Sequence, residues 1–392
     1  MSEKAMNDDV LREWVHVSYA ENSQMTETYG FVGSQGTVNL EGVLLRPRRG
    51  KNETVYLMMH PSSTLQLLPL PSGLAEAGTS VLCMGSRYAR NDSALIFEKV
   101  VLDLGACVRY AKEQLGFKHV ILLGWSGGGA LSLLYQAQAE HPTITATPAG
   151  DPIDLAAAKL LPADGLILEA AHRSRARCLS EWIDPSVLDD ADPDVRDSRL
   201  DLYSPELPVR PPYPKDWLES YRAAQLARVR RITARVQETL ELLRKRGGNE
   251  RERGFVTHRT MADPRFLDGA IEPNGRPIGS CYMGVPETAN NGPVGLARFS
   301  TLRSWLSQWS IDHSHADGET CAEKISVPLL AIEHGADDAV PQPDVGLMYR
   351  ACASADKTFH CLQGASHYFK GQPQHMQRSL DLIRDWSQTR GW

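Results

Sequence analysis

The chain contains no apolar run approaching the roughly 20 residues needed to span a bilayer, and its first residues, Met1 to Asp9, lack the apolar core of a secretion signal. Membrane anchorage and export are therefore not expected, and a cytoplasmic location is. A surplus of positive charge is missing as well. Forty-two Lys and Arg against 48 Asp and Glu give a formal charge of −6, which offers no general attraction to nucleic acid or to anionic membranes. Neither is expected as a partner. The seven cysteines, Cys83, Cys107, Cys178, Cys281, Cys321, Cys352 and Cys361, are odd in number, scattered, and form no Cys-x-x-Cys pair. That usage suits a reducing compartment and argues against a zinc ribbon. No spacing of His with carboxylates suggests a metal centre. The glycine-rich stretch near residue 127 lacks Gly-x-Gly-x-x-Gly, so a dinucleotide is not implied there. No cofactor is expected, and internal repeats and low-complexity tracts are absent.

What remains is an ordinary globular composition, 392 residues with 42% hydrophobic and 23% charged, enough for one large core plus an insertion, or for two domains. Its centre is Val120-Ile121-Leu122-Leu123-Gly124-Trp125-Ser126-Gly127-Gly128-Gly129-Ala130. Four apolar residues without alternation predict a strand buried on both faces, and Ala130 to Gln138 has helical composition. Between them, Gly-x-Ser-x-Gly permits a turn tight enough to expose the Ser126 hydroxyl on a strained backbone, beside the positive end of the following helix.

Upstream, residues 7 to 20 are expected as a short helix, and Thr26 to Val32 and Thr37 to Leu45 as strands joined at Gly33-Ser34-Gln35-Gly36. Val55 to Met59 and Ser80 to Met84 read as buried strands, and Ala94 to Leu115 as an amphipathic helix ending at Gly116. Strands alternating with helices of this length imply a mostly parallel sheet covered on both faces. After the strand Gly165 to Glu169 the alternation stops for roughly 140 residues. This insertion holds a Pro- and Asp-rich stretch, Asp184 to Pro214, and a long helix, Lys215 to Gly247, apolar near one face, which offers a surface for a homodimer. Its basic residues are accompanied by acidic ones, as on a solvated helix face. The sheet pattern resumes at Val327 to Glu333 and at Lys357 to Leu362, and Gln374 to Trp386 closes the chain as a helix. The expected units are 1–170 and 311–392 for the core and 171–310 for the insertion.

Ser126, Asp337 and His367 then stand in that order, each at the C-terminal end of an expected buried strand, the edge where open parallel sheets place their sites. In this order, and in Gly364-Ala365-Ser366-His367 after the last strand, the chain resembles the α/β-hydrolase superfamily over essentially its whole length. The resemblance implies a mostly parallel sheet of about eight strands, helices on both faces, and a helical cap inserted after the sixth strand. It also implies that Ser126 is the nucleophile, His367 its base and Asp337 the acid that orients the base. Asp337 follows from counting back from Pro341; counting on from Gly335 selects Asp338 instead, and Glu169 is a more remote third choice. The oxyanion hole is expected from the amides of Gly127 and Ser62, because Pro61 has no N–H. His60 and Trp125 are expected to line the pocket. Within the insertion, Met261, Tyr282, Met283, Trp305 and Trp309 are candidates for pocket or core, and Arg259 and Arg276 for meeting a substrate carboxylate.

The reaction implied is two-step acyl transfer on a small molecule, with carboxylic ester hydrolysis first among its uses. Hydrolysis of a carbon–carbon bond next to a ketone is the alternative on the same residues. A non-catalytic binding protein on the same scaffold is the alternative of another class, disfavoured by the retention of all three triad residues.

Overall fold

A computed structural model of the chain describes residues 9–21, 36–48, 53–272, 275–340 and 342–392. The first element departs from expectation. Val10–Ala20 is not a helix but a strand, β1, paired antiparallel with β2 (Thr37–Pro47) from Val10 opposite Pro47 to Ala20 opposite Thr37. Period-two burial explains it: Val15 and Val17 face inward while Trp14, His16 and Ser18 face solvent, a pattern that suits a half-buried strand rather than a helix. The strand expected over Thr26 to Val32 lies outside the described residues.

From β3 (Thr54–His60) onward the chain alternates: α1 (Pro69–Glu76), β4 (Ser80–Gly85), α2 (Phe97–Glu113), β5 (His119–Ser126), α3 (Gly128–Glu140) and β6 (Gly165–Ala171). The insertion follows, with α4 (Arg175–Trp182), a small hairpin of β7 (Val187–Asp189) and β8 (Asp192–Arg196), the long α5 (Lys215–Arg246), β9 (Gly254–Val256), α6 (Pro286–Asn291), β10 (Phe299–Thr301) and α7 (Leu302–Gln308). Then α8 (Gly318–Ala322), β11 (Leu329–His334), α9 (Asp344–Ala351), β12 (Lys357–Leu362) and α10 (Pro373–Gln388) complete the chain.

The main sheet has eight strands in the order β1-β2-β4-β3-β5-β6-β11-β12. Only β2 runs against the rest; every pairing from β4 to β12 is parallel. Its central strands are apolar without alternation because both faces are covered. Leu57, Leu82, Leu122 and Leu166 pack with Val101 and Leu104 of α2, Leu131 and Leu134 of α3 and Met348 of α9. Their neighbours Tyr56, Val81, Ile121 and Ile167 point the other way, onto Leu70 and Leu74 of α1 and Leu380, Ile383 and Trp386 of α10.

The insertion has its own core. Val229, Ile232, Val236, Leu240 and Leu243 of α5 pack on Trp305, Leu306 and Trp309 and on Leu179 of α4. The apolar stripe of α5 is thus buried within its own chain. Ala316, Cys321 and Ala322 pack in the core that the sheet shares with α2, α3 and α9. No described helix is long and apolar enough to cross a membrane.

Candidate active site

Strand β5 ends on Ser126 and α3 begins at Gly128, leaving a connection of one residue. Ser126 has φ 53°, in the left-handed region that non-glycine residues seldom occupy. Two glycines make the turn sterically feasible. A Cβ at Gly124 would lie 2.8 Å from the Gly128 carbonyl oxygen, and one at Gly128 would lie 2.7 Å from that of Met59. The Ser126 carbonyl accepts the His172 N–H at 2.9 Å, tying the turn to the end of β6. Gly127 is the N-cap of α3, so its amide belongs to the unpaired, electropositive first turn beside Ser126.

At the end of β11 the chain turns through Gly335 and Ala336 into Asp337. Its Oδ1 accepts the amides of Ala339 and Val340, both at 2.7 Å, and its Oδ2 accepts the Nδ1–H of His367 at 2.8 Å. Burial by itself would raise the Asp337 carboxyl, but His367, His334 and the Val340 amide prevail and hold it below the usual carboxylate range. Of the two candidate acids, Asp337 is therefore the one joined to the histidine. Asp338 is only partly buried, its carboxyl is pushed up by burial and by Asp337, and its carbonyl receives the Tyr282 amide at 3.1 Å.

Glu169 is elsewhere engaged. It is fully buried at the end of β6, where its Oε1 accepts the Nε2–H of His334 and the Ser379 hydroxyl, each at 2.8 Å. The other His334 nitrogen faces the carbonyl of Ser366 at 3.1 Å. Both neighbours are acceptors, and the Glu169 carboxylate accordingly raises the imidazole above its ordinary value against the opposing effect of burial. This buried pair supports the loop that carries His367.

Ser126, Gly127 and His367 share a cavity of about 350 Å³. His60, Ser62 and Trp125 line it, and the Trp125 ring lies tilted against the His367 ring at 4.5 Å between centroids. The Ser62 amide, expected to face an oxyanion, instead donates to Nδ1 of His60 at 3.1 Å, and the Ser63 amide does the same at 2.9 Å. Burial, then Arg175, hold the His60 imidazole well below the ordinary histidine value, so it is neutral.

Two residues just after β6 went unnoticed in the sequence. His172 lines the cavity with a buried Nδ1 that has no partner, and burial followed by the nearby His367 pushes its pKa down to about 3. Arg175 also lines it, donating to Asp92 at 2.9 Å and to the Ser62 hydroxyl at 2.7 Å, with its guanidinium 5.2 Å from the Trp309 ring centroid. Their position at the C-terminal edge of a central strand was the available signal. From the insertion, Tyr282, Met283 and Trp309 reach the cavity. Met261 and Trp305 are core residues, the latter donating its indole N–H to Thr233 at 2.9 Å. Arg259 is committed to Asp184 and Asp201, at 2.7 and 2.8 Å, and Arg276 donates to the Arg265 carbonyl at 3.3 Å.

No protein-family model and no curated sequence matches the chain. Solved structures do align with it. A monoacylglycerol lipase of Paleococcus ferrophilus is 14% identical, with 86% of this chain and 95% of that one covered at a TM-score of 0.43. The esterase domain of a Rhodothermus marinus protein is 12% identical, with coverages of 96% and 98% and a TM-score of 0.44. The siderophore hydrolase EstB of Aspergillus fumigatus is 13% identical, with coverages of 89% and 94% and a TM-score of 0.47. Independently of these alignments, the eight-stranded order with only β2 reversed, and the strained serine between the fifth strand and its helix, give the chain the α/β-hydrolase fold.

Proposed function

We propose that the chain is a serine hydrolase cleaving a carboxylic ester of a small organic substrate. The observation that carries this reading is the buried His367–Asp337 pair, whose histidine lines the cavity where Ser126 is held on its strained turn. With Nδ1–H committed to Asp337, the other nitrogen of His367 is left as the base. It removes the Ser126 proton as the oxygen attacks the ester carbonyl, and the Gly127 amide stabilises the resulting oxyanion. The imidazolium returns its proton to the departing alkoxide, leaving an acyl-serine and an alcohol. Water, deprotonated by the same histidine, then releases the carboxylic acid and restores Ser126.

At about 350 Å³ the cavity lies near the small end of the ~300–1,000 Å³ typical of ligand sites. Walls formed by Trp125, Trp182, Tyr282 and Trp309 suit a compact acyl group. The test is hydrolysis of nitrophenyl esters of increasing acyl length together with fluorophosphonate labelling, with Ser126→Ala in parallel. Short acyl esters should be preferred, and turnover and labelling should both vanish in the variant. Labelling without ester turnover would move the reading to carbon–carbon hydrolysis, whereas neither signal in folded protein would leave a binding protein.

A further inference from the structure

Acyl transfer at Ser126 calls for a second hydrogen-bond donor beside the Gly127 amide, because a tetrahedral oxyanion is held by preorganised donors converging on it. The end of β3, adjacent to β5 in the sheet, is where this fold presents one. Here backbone donors are lacking: Pro61 has no N–H, and the amides of Ser62 and Ser63 point at the His60 ring. We infer that the second oxyanion donor is the side chain of His60, acting through Nε2–H. The inference rests on the hydrolytic reading and names a catalytic group for it.

The two amides settle which nitrogen carries the proton. Both donate to Nδ1, at 3.1 and 2.9 Å, so Nδ1 offers its lone pair and a neutral ring must hold its hydrogen on Nε2. Accepting two hydrogen bonds also draws electron density from the ring and strengthens Nε2–H as a donor. The ring is placed for the role. It lines the same cavity as Ser126 and His367, and a Cβ at Gly127 would lie 2.6 Å from Nε2 but 3.2 Å from each adjacent ring carbon. The Nε2 edge therefore abuts the residue that supplies the first donor. Its surroundings favour neutrality: the nearby Arg175 opposes a second positive charge, as do His172 and His367 when protonated. Arg175 also holds the Ser62 hydroxyl at 2.7 Å, and the Ser86 hydroxyl holds the Pro61 carbonyl at 2.6 Å, so the turn that orients the ring is fixed on both sides. No proton leaves His60 in the reaction; it only donates a hydrogen bond.

The test separates donor from scaffold. His60→Asn keeps an acceptor near the Nδ1 position for the two amides but removes the donor, whereas His60→Gln places an amide N–H near the Nε2 position. The Asn variant should lower kcat for a short nitrophenyl ester by roughly 10²–10³-fold with KM changed less than about threefold, and Gln should recover at least about tenfold. Inhibition by a trifluoromethyl ketone, which forms a hemiketal oxyanion on the serine, should weaken in parallel. In the wild type, ¹⁵N NMR of labelled histidines should find His60 neutral and protonated on Nε2 across neutral pH. A kcat for His60→Asn within about threefold of wild type, or a proton on Nδ1, would overturn the inference while leaving hydrolysis intact. That spectrum decides the matter even if both variants fail to fold. A wild type that neither labels nor turns over would instead remove the hydrolytic reading, and this inference with it.

Discussion

Asp337 and Asp338 differ by one position in sequence and by their hydrogen bonds in space. Oδ2 of Asp337 meets His367, and its Oδ1 is fixed by two amides at 2.7 Å, whereas Asp338 lies at the edge of the buried region. Replacing Asp337 by Asn offers His367 an amide in place of a carboxylate and removes the charge that stabilises imidazolium. A fall in kcat of about 10³–10⁴-fold is expected for Asp337→Asn, against a change under about threefold for Asp338→Asn, both read by steady-state ester hydrolysis. Equal losses would sink the assignment. The sequence left the acid open because the spacing from Gly335 and the spacing to Pro341 disagree by one residue, and only the turn geometry decides between them. Ser126 and His367 were legible for the opposite reason, since each stands at a strand end within a motif of its own. The role of His60 was not legible, because the direction in which a backbone amide points leaves no mark on residue order.

The buried strands and α5 announced themselves through long apolar runs or periodicity, and α5 stops where expected, with Gly247 at φ 66° after Arg246. Strand β1 was misread because its eleven residues include only a few inward positions, and its partner β2 is what makes the period-two face buried. The turn at Ser126 depends on close backbone approach, and this gives a direct test. In Gly128→Ala the new methyl would meet the Met59 carbonyl at 2.7 Å, a backbone atom that cannot step aside cheaply. Urea unfolding should show a loss of about 1–3 kcal/mol, and ester turnover should fall further than stability accounts for, because β3 and Ser126 must move apart. The Glu169–His334 pair joins β6 to β11 and, through Ser366 and Ser379, to the His367 loop and α10. Truncation in Glu169→Ala leaves a buried imidazole without its partner. It should cost about 3–5 kcal/mol in the same unfolding measurement, with Glu169→Gln milder because it retains an acceptor.

For the molecule as a whole, burying histidines of opposite preference sets how stability responds to pH. His172 takes up a proton only near pH 3 in the folded chain, against 6.5 for an ordinary histidine. Its immediate charged neighbours are His367 and Arg175, which oppose protonation, and Asp337, which favours it less strongly than burial and His367 disfavour it. Between those two values the unfolded chain binds a proton that the native chain refuses, so native stability is intact above about pH 6.5 and declines as pH falls through the window. His60 is depressed as well and acts in the same direction. His334 acts oppositely: its pKa is raised beside Glu169, so its contribution is present in acid and is lost as pH rises through the raised value. The buried Asp344 carboxyl, pushed up to about 7 by burial, also favours the acid side. Together with His334 it stands against four depressed histidines, His60, His172, His258 and His360, which make acid the weaker side. Urea midpoints measured from pH 7.5 to 5.0 should decline toward acid, each depressed histidine contributing at most about 1.4 kcal/mol per pH unit. His172→Gln, which cannot titrate, should decline less steeply than wild type. Parallel slopes would mean that His172 takes up its proton as readily in the native cavity as in the unfolded chain.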